Sequence, residues 1–204
     1  RRRNAAGAGN KIEEVGMKAL GISGSPRSGG NCEFLTQHTL KALAEEGIET
    51  EFISLAGLSI GHCTGCYACK NEHRCIIEDD LAPIYEKMLA ADGIILATPV
   101  YFSSASSLMK AFMDRTGMIA RYGGNPFKGK AGGPLVVGRR GGQNFTLAQM
   151  NYWFHLLQFY MTGASYWNIA FALGKGEVSQ DKEGMDTAWS FGKNLAGLIK
   201  AVHE

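Results

Sequence analysis

Nine residues, Ser23-Gly24-Ser25-Pro26-Arg27-Ser28-Gly29-Gly30-Asn31, constrain this chain more than any other stretch. A short apolar run, Ala19 to Ile22, leads into them, and a stretch of helical periodicity leaves them near Asn31 or Cys32. The pattern predicts a strand, a loop of small hydroxylic residues, and a helix N-terminus. The first N–H groups of a helix lack intrahelical partners and carry the positive end of its dipole, so an anion settles there. Ser23, Ser25 and Ser28 add hydroxyls, Arg27 adds a cation, and glycine permits close backbone approach. The loop reads as a phosphate cradle. The plainer alternative is a Ser/Gly turn between a strand and a helix.

What is missing narrows the phosphate. Gly24 to Gly29 has the spacing of a P-loop, but Gly30-Asn31 stands where that motif needs Lys-Ser or Lys-Thr, which argues against nucleotide hydrolysis. No G-x-G-x-x-G is present, so a dinucleotide pyrophosphate is not the expected guest. A single terminal phosphate, as on a mononucleotide, fits better.

Apolar strands alternate with helical stretches along the rest of the chain. Strands are predicted at Lys18–Ser23, Ile48–Leu55, Gly93–Thr98, Pro134–Gly138 and Tyr166–Leu173. Helices are predicted over Glu33–Glu46, Asp79–Ala91, a stretch carrying Leu108 to Met113, Phe145–Met161 and Met185–Val202. Such alternation implies an α/β fold: a doubly wound, five-stranded parallel sheet with helices on both faces. The count is flavodoxin-like, with strand order 2-1-3-4-5 and a mononucleotide at the switch point between the first and third strands. The loops after the first, third and fourth strands then open on one edge.

The 204 residues suit one domain over 17–204, with a Cys-rich loop at 60–78. Hydrophobic content of 45% and a net charge of +2 suggest neither nucleic acid nor a membrane as partner. Residues 1–16 hold three arginines without a following apolar run, which argues against a secretory or twin-arginine signal. They are expected to be a tag remnant or short disordered extension, with Met17 the natural start. Four of five cysteines fall between positions 63 and 75, which points to metal or redox chemistry in a reducing cytoplasm.

Thr98-Pro99-Val100-Tyr101-Phe102-Ser103-Ser104 offers a rigid proline, two aromatics and hydroxyls at a strand end, as a flat isoalloxazine ring requires. The alternative is that Tyr101 and Phe102 only close the core. A second glycine-rich loop, Gly138-Arg139-Arg140-Gly141-Gly142, follows the fourth strand and either covers the ring or phosphate side or is a solvated basic turn. Cys32, alone at a helix start, is an inert small residue or a thiol of lowered pKa.

Cys63, Cys66, Cys69 and Cys75 follow C-x2-C-x2-C-x5-C. Three thiolates at intervals of three residues wrap one compact object and a fourth closes it, which suits a [4Fe–4S] cube. Tetrahedral zinc, which prefers two separated knuckles, and metal-free thiols remain the alternatives. His62 and His73 read as loop histidines rather than ligands.

Gly21-Ile22-Ser23-Gly24-Ser25-Pro26-Arg27, Gly30-Asn31-Cys32-Glu33, the cysteine run and Thr98 to Phe102 together resemble the iron–sulfur flavoproteins. These belong to the NAD(P)H-dependent FMN reductase group of flavodoxin-like proteins, and the resemblance covers Met17 to Gly142. It implies FMN, with Ser23, Ser25, Arg27 and Asn31 on the phosphate and Pro99, Tyr101, Phe102 and Ser103 along the ring. Ser28, Cys32, Val100, Gly138, Gly141 and Gly142 complete the candidate cofactor site, and the four clustered cysteines would ligate a [4Fe–4S] cluster. No protein nucleophile is implied, because the cofactors carry the chemistry. The implied activity moves electrons from ferredoxin or NAD(P)H to a small or protein acceptor. Related members keep cysteines yet carry FMN only, so a cluster-free NAD(P)H-dependent FMN or quinone reductase is the first rival. A non-catalytic flavin carrier or regulatory module is the second, and a plain phosphate-binding α/β domain the last.

The predicted helix from Phe145 to Met161 is apolar nearly all round, so a further helix or a second subunit must cover it. A homodimer or homotetramer is expected. No role attaches to Tyr152-Trp153-Phe154.

Overall fold

Successive side chains of a strand point to opposite faces, so a strand covered on both faces is apolar throughout. The computed structural model, which describes residues 16–203, builds its sheet on this rule. In chain order the first elements are β1 (Lys18–Ser23), α1 (Asn31–Glu45), β2 (Glu49–Ser54), the short α2 (Cys69–Glu72) and α3 (Leu81–Ala90). Next come β3 (Gly93–Tyr101), β4 (Ser104–Ala105), α4 (Ser107–Tyr122), β5 (Ala131–Gly138) and α5 (Gln143–Leu156). The last are β6 (Tyr160–Met161), β7 (Ile169–Phe171), a 3-10 turn at Glu177–Gln180 and α6 (Lys182–His203).

Leu20, Ile22, Ile94, Leu96 and Val136 point to one layer, where α3, α4 and α5 cover them with Met88, Phe112, Met150 and Phe154. Their neighbours Ala19, Ile95, Ala97, Leu135 and Val137 point to the other, under α1 and α6 with Leu35, Leu43, Phe191 and Ile199. Each such fully buried Leu, Ile or Phe contributes about 1.5–3 kcal/mol relative to exposure.

The sheet order is β2-β1-β3-β5, all parallel, and the register aligns Ser23 with Ser54 and Ala97. The carboxyl ends of these strands therefore meet at one edge, and the order reverses between β1 and β3. β2 is the edge strand and only half-buried, as its charged alternation predicts.

Seven strands replace the predicted five. β4 turns back antiparallel on the end of β3, and the fifth position is split. β6 pairs with Ala131 and Gly132 at one end of β5, while β7 pairs with Val136 to Gly138 at the other. β7 lies inside the predicted strand Tyr166–Leu173; β6 lies in the tail of the predicted helix Phe145–Met161, which ends at Leu156. The helix stops because Gln158 turns left-handed (φ 61°) and its carbonyl accepts from Gly129 N. Leu157 and Phe159 are apolar because the returning chain packs onto the sheet, not because the helix continues. Nor is α5 buried all round: Phe145, Tyr152 and Leu156 are 73%, 75% and 58% exposed.

Residues 1–15, which hold most of the expected extension, lie outside the described residues. Among the described residues no helix is long and apolar enough to cross a membrane.

Candidate functional site

A cleft opens at the carboxyl edge of the sheet, over the point where the strand order reverses. Ser25, Arg27, Asn31 and Cys32 form one wall, and Pro99, Val100 and Tyr101 form another. Val137, Arg139, Ala172 and Leu173 close it. Three loops singled out in the sequence thus converge, joined by the loop after β7.

The first loop is held by its own hydroxyls and by distant backbone. Ser25 Oγ accepts from Arg27 N at 3.1 Å, and buried Ser23 Oγ accepts from Ser25 N at 3.4 Å. Gly24 N donates to Ala97 O at 2.8 Å, and Ser106 Oγ donates to Gly24 O at 2.5 Å. The same Ser106 hydroxyl caps α4 by accepting from Met109 N at 3.1 Å. Glu33 anchors the far side: its carboxylate accepts from Gly29 N at 2.9 Å and from Ser54 Oγ at 2.6 Å. A Cβ at Gly24 would lie 2.5 Å from Met109 Cβ, so only glycine allows this approach. By contrast with α4, α1 starts after Gly30 at its N-cap with no side-chain cap, which leaves its first N–H groups without a side-chain acceptor. That uncapped terminus beside Ser25 and Arg27 suits a phosphate.

Asn31 behaves differently from expectation. Its Nδ2 donates to Gly174 O at 2.8 Å, and its Oδ1 accepts from Gly176 N at 2.9 Å and Val178 N at 3.3 Å. The side chain thus clamps the loop after β7. Arg27 Nη1 also reaches that loop, donating to Leu173 O at 3.4 Å. Lys175 Nζ comes to 3.0 Å from where a Cβ on Gly29 would stand, a cation beside the first loop that nothing local in the sequence marks.

Phe102 and Ser103 form a two-residue turn between β3 and β4, both in the left-handed region (φ 50° and 61°). Such turns ordinarily take Asn-Gly, so a Phe-Ser pair here is strained. Phe102 is fully exposed, and neither it nor Ser103 lines the cleft. Ser103 instead packs on Gly142, which is left-handed (φ 85°) and whose added Cβ would meet Ser103 Oγ at 2.7 Å. Ser28, Gly138, Gly141 and Gly142 also lie off the cleft wall. Cys32 lines it but is 2% exposed, and burial pushes its thiol pKa well up, which favours the inert reading.

The four clustered cysteines line one hollow with Tyr67, Ile76, Ile77, Met118 and Ile119. The loop carrying them leaves from the same sheet edge as the cleft but folds back along α4. Tyr67 packs edge-on to Tyr122 at the end of that helix (ring centroids 6.0 Å apart). Arg115, beside the hollow, stands nine residues past the α4 cap, ~14 Å of helix rise. The two candidate sites are therefore separated down the flank of α4 rather than side by side. All five cysteines are free. Among the described residues no three His, Cys, Asp or Glu side chains cluster tightly enough to hold one metal ion. Four thiols spread round a chiefly apolar hollow, with a buried guanidinium donating to one of them, fit a multi-iron cluster better than a single ion.

Within the loop, hydrogen bonds from Ala68 N and Thr64 hold the Cys66 pKa below that of an ordinary thiol, while burial raises that of Cys69. Burial opposes the charge on Arg115, but hydrogen bonds to Asp79 and Cys75 outweigh it and raise its pKa. Burial also works against the Asp79 carboxylate, yet Arg115 and the N–H groups of Gly61 and Leu81 hold its pKa below the usual value.

An open sheet of this order, with its cleft at the switch point, defines a flavodoxin-like protein. A flavodoxin, WrbA-like protein from Agrobacterium tumefaciens superposes with a TM-score of 0.66, at 14% identity, over 91% of this chain and 98% of its own. The chain belongs to the NADPH-dependent FMN reductase family, whose profile matches residues 17–174. It is 42% identical over 193 residues to an iron–sulfur flavoprotein of Methanocaldococcus jannaschii, covering 91% of this chain and 99% of that one. It is 35% identical over 196 residues to an iron–sulfur flavoprotein of Methanosarcina thermophila, covering 92% and 98%. The protein is a flavin-dependent oxidoreductase.

Proposed function

We propose that the chain is an electron-transfer enzyme of the iron–sulfur flavoprotein type, carrying FMN in the cleft and a [4Fe–4S] cluster on Cys63, Cys66, Cys69 and Cys75. The observation that carries this reading is the convergence of four thiols on one apolar hollow beside a buried arginine. The curated relatives named iron–sulfur flavoproteins, matched over nearly their whole length, support it.

When bound, FMN exchanges electrons singly or in pairs and the cluster exchanges them singly. The chain's own residues hold and shield. The uncapped α1 terminus, Ser25, Arg27 and Lys175 hold the phosphate. Pro99, Val100 and Tyr101 wall one side of the ring, and Val137, Arg139 and Leu173 keep water from the other. Asn31 acts through the loop after β7. Electrons pass from ferredoxin or NAD(P)H to a small or protein acceptor in a reducing cytoplasm. Phe145, Tyr152 and Leu156, a stripe at helical spacing on the outer face of α5, form a subunit interface of a homodimer or homotetramer.

EPR of the anaerobically reconstituted, reduced protein tests the assignment. The expected result is a reduced-cluster signal in the wild type that Cys66→Ser diminishes or changes. Cys66 is exposed, so this variant folds; an unchanged signal contradicts the assignment. The family description favours one other reading, a cluster-free NADPH-dependent reductase. Flavin bleaching by NADPH in protein that binds no iron would select it, and a flavin reduced by neither donor would select a carrier.

A further inference from the structure

One buried side chain ties the cysteine loop together. Arg115 is 1% exposed, at the middle of α4, and its fork joins both ends of the cysteine loop. Nη1 donates to Gly61 O at 3.3 Å and to the Asp79 carboxylate. Nη2 donates to Cys75 Sγ at 3.3 Å and to Ile77 O at 3.1 Å. Gly61 precedes the first cysteine of the run and the other three partners are the last cysteine or follow it. One guanidinium therefore closes the segment that surrounds the hollow. Its fifth donor, Nε–H, is buried and has no partner among the described residues.

We infer that Arg115 is a positioning residue for the four-thiolate site: it clamps the loop through Gly61, Ile77 and Asp79 and tunes the site by donating to Cys75 sulfur. The inference rests on the cluster reading above. Hydrogen bonds to cluster sulfurs stabilise the more negative, reduced state and so raise the reduction potential. Asp79 opposes this, because its carboxylate offsets the guanidinium charge. Removing Arg115 and removing the Asp79 charge must therefore shift the potential in opposite directions. Loop closure alone gives no such sign rule, since either variant weakens the same clamp.

The test compares wild type, Arg115→Met, Arg115→Lys and Asp79→Asn as full chains loaded anaerobically with FMN, iron and sulfide. An EPR-monitored titration reads the cluster's midpoint potential, and hydrogen–deuterium exchange over residues 61–79 is followed in the metal-free chains. The expected result is a lower potential in Arg115→Met, a higher one in Asp79→Asn, and Arg115→Lys between Arg115→Met and wild type. Exchange over 61–79 should be roughly tenfold faster in metal-free Arg115→Met. Shifts of the same sign, or an Arg115→Met potential equal to wild type, overturn the tuning role, and unchanged exchange overturns the clamp. Should Arg115→Met fail to fold or load, Arg115→Lys and Asp79→Asn carry the sign test. A wild type that takes up no iron or sulfide overturns the cluster reading itself, while exchange still decides the clamp.

Discussion

Replacing Asn31 with Ala separates two accounts of the phosphate loop. In the structure the Asn31 side chain makes three hydrogen bonds to residues 174, 176 and 178, at 2.8, 2.9 and 3.3 Å. A neutral hydrogen bond contributes about 1 kcal/mol net, and the 3.3 Å bond less. Because part of the site is open to water, which re-solvates the freed groups, the expected loss is about 2 kcal/mol. For a domain of this size that lowers Tm by roughly 4–8 °C. The loss is present before any cofactor binds, since the clamp is internal. FMN affinity falls as well, about tenfold, because the freed loop no longer places Lys175 beside the first loop and Leu173 against the cleft. Thermal unfolding of flavin-stripped protein and a flavin-fluorescence titration read the two effects. Asn31→Asp keeps the acceptor for Gly176 N and Val178 N and should retain more of the stripped protein's stability than Asn31→Ala. A stripped Asn31→Ala protein as stable as wild type that nonetheless loses FMN would refute the clamp and return the amide to the phosphate.

Three other outcomes follow from the same geometry. Gly24→Ala puts a Cβ 2.5 Å from Met109 Cβ and 3.0 Å from its Cα, so the start of α4 must shift; a loss of about 1–3 kcal/mol and failure to retain FMN are expected in urea unfolding and flavin analysis. In metal-free native protein iodoacetamide should label exposed Cys66 first and Cys32 last, by mass spectrometry, because Cys66 has its pKa lowered by Ala68 N–H and Thr64 whereas burial raises that of Cys32. Asp79 has a folded pKa below its unfolded value near 3.8, so its stabilisation is complete above that value and lost as pH falls through the lower folded pKa. Urea midpoints of wild type should fall more steeply than those of Asp79→Asn on acidification below about pH 4.

Much of the carboxyl edge was legible because it follows from local rules. A strand of buried alternating residues, small hydroxylic residues and an uncapped helix start lie consecutively from Ala19 to Cys32, and strand order then brings Pro99 to Tyr101 opposite them. The cysteine run brings its four side chains to one hollow for the same reason, being compact in sequence. What local sequence does not encode depends on contacts far along the chain. Asn31 finds its partners 143 to 147 residues away, where no local pattern exists. Phe159 imitated a helical position because the chain folds back on the sheet there, and the same return splits the fifth strand. Phe102 looked like a ring-lining aromatic, but the tight β3–β4 turn swings it outward. Arg115 did leave a signal: it falls on the apolar stripe of Met109, Phe112, Met113 and Ile119, where a charge has to find buried partners.

Whether this chain joins a flavin to a multi-iron cluster is decided by its composition. Iron, acid-labile sulfide, zinc and FMN are measured on one anaerobically purified sample, normalised to chain concentration. About four iron, about four sulfide and about one FMN per chain are expected, with iron and sulfide dropping together in Cys66→Ser. FMN with neither iron nor sulfide, or zinc in their place, would contradict it.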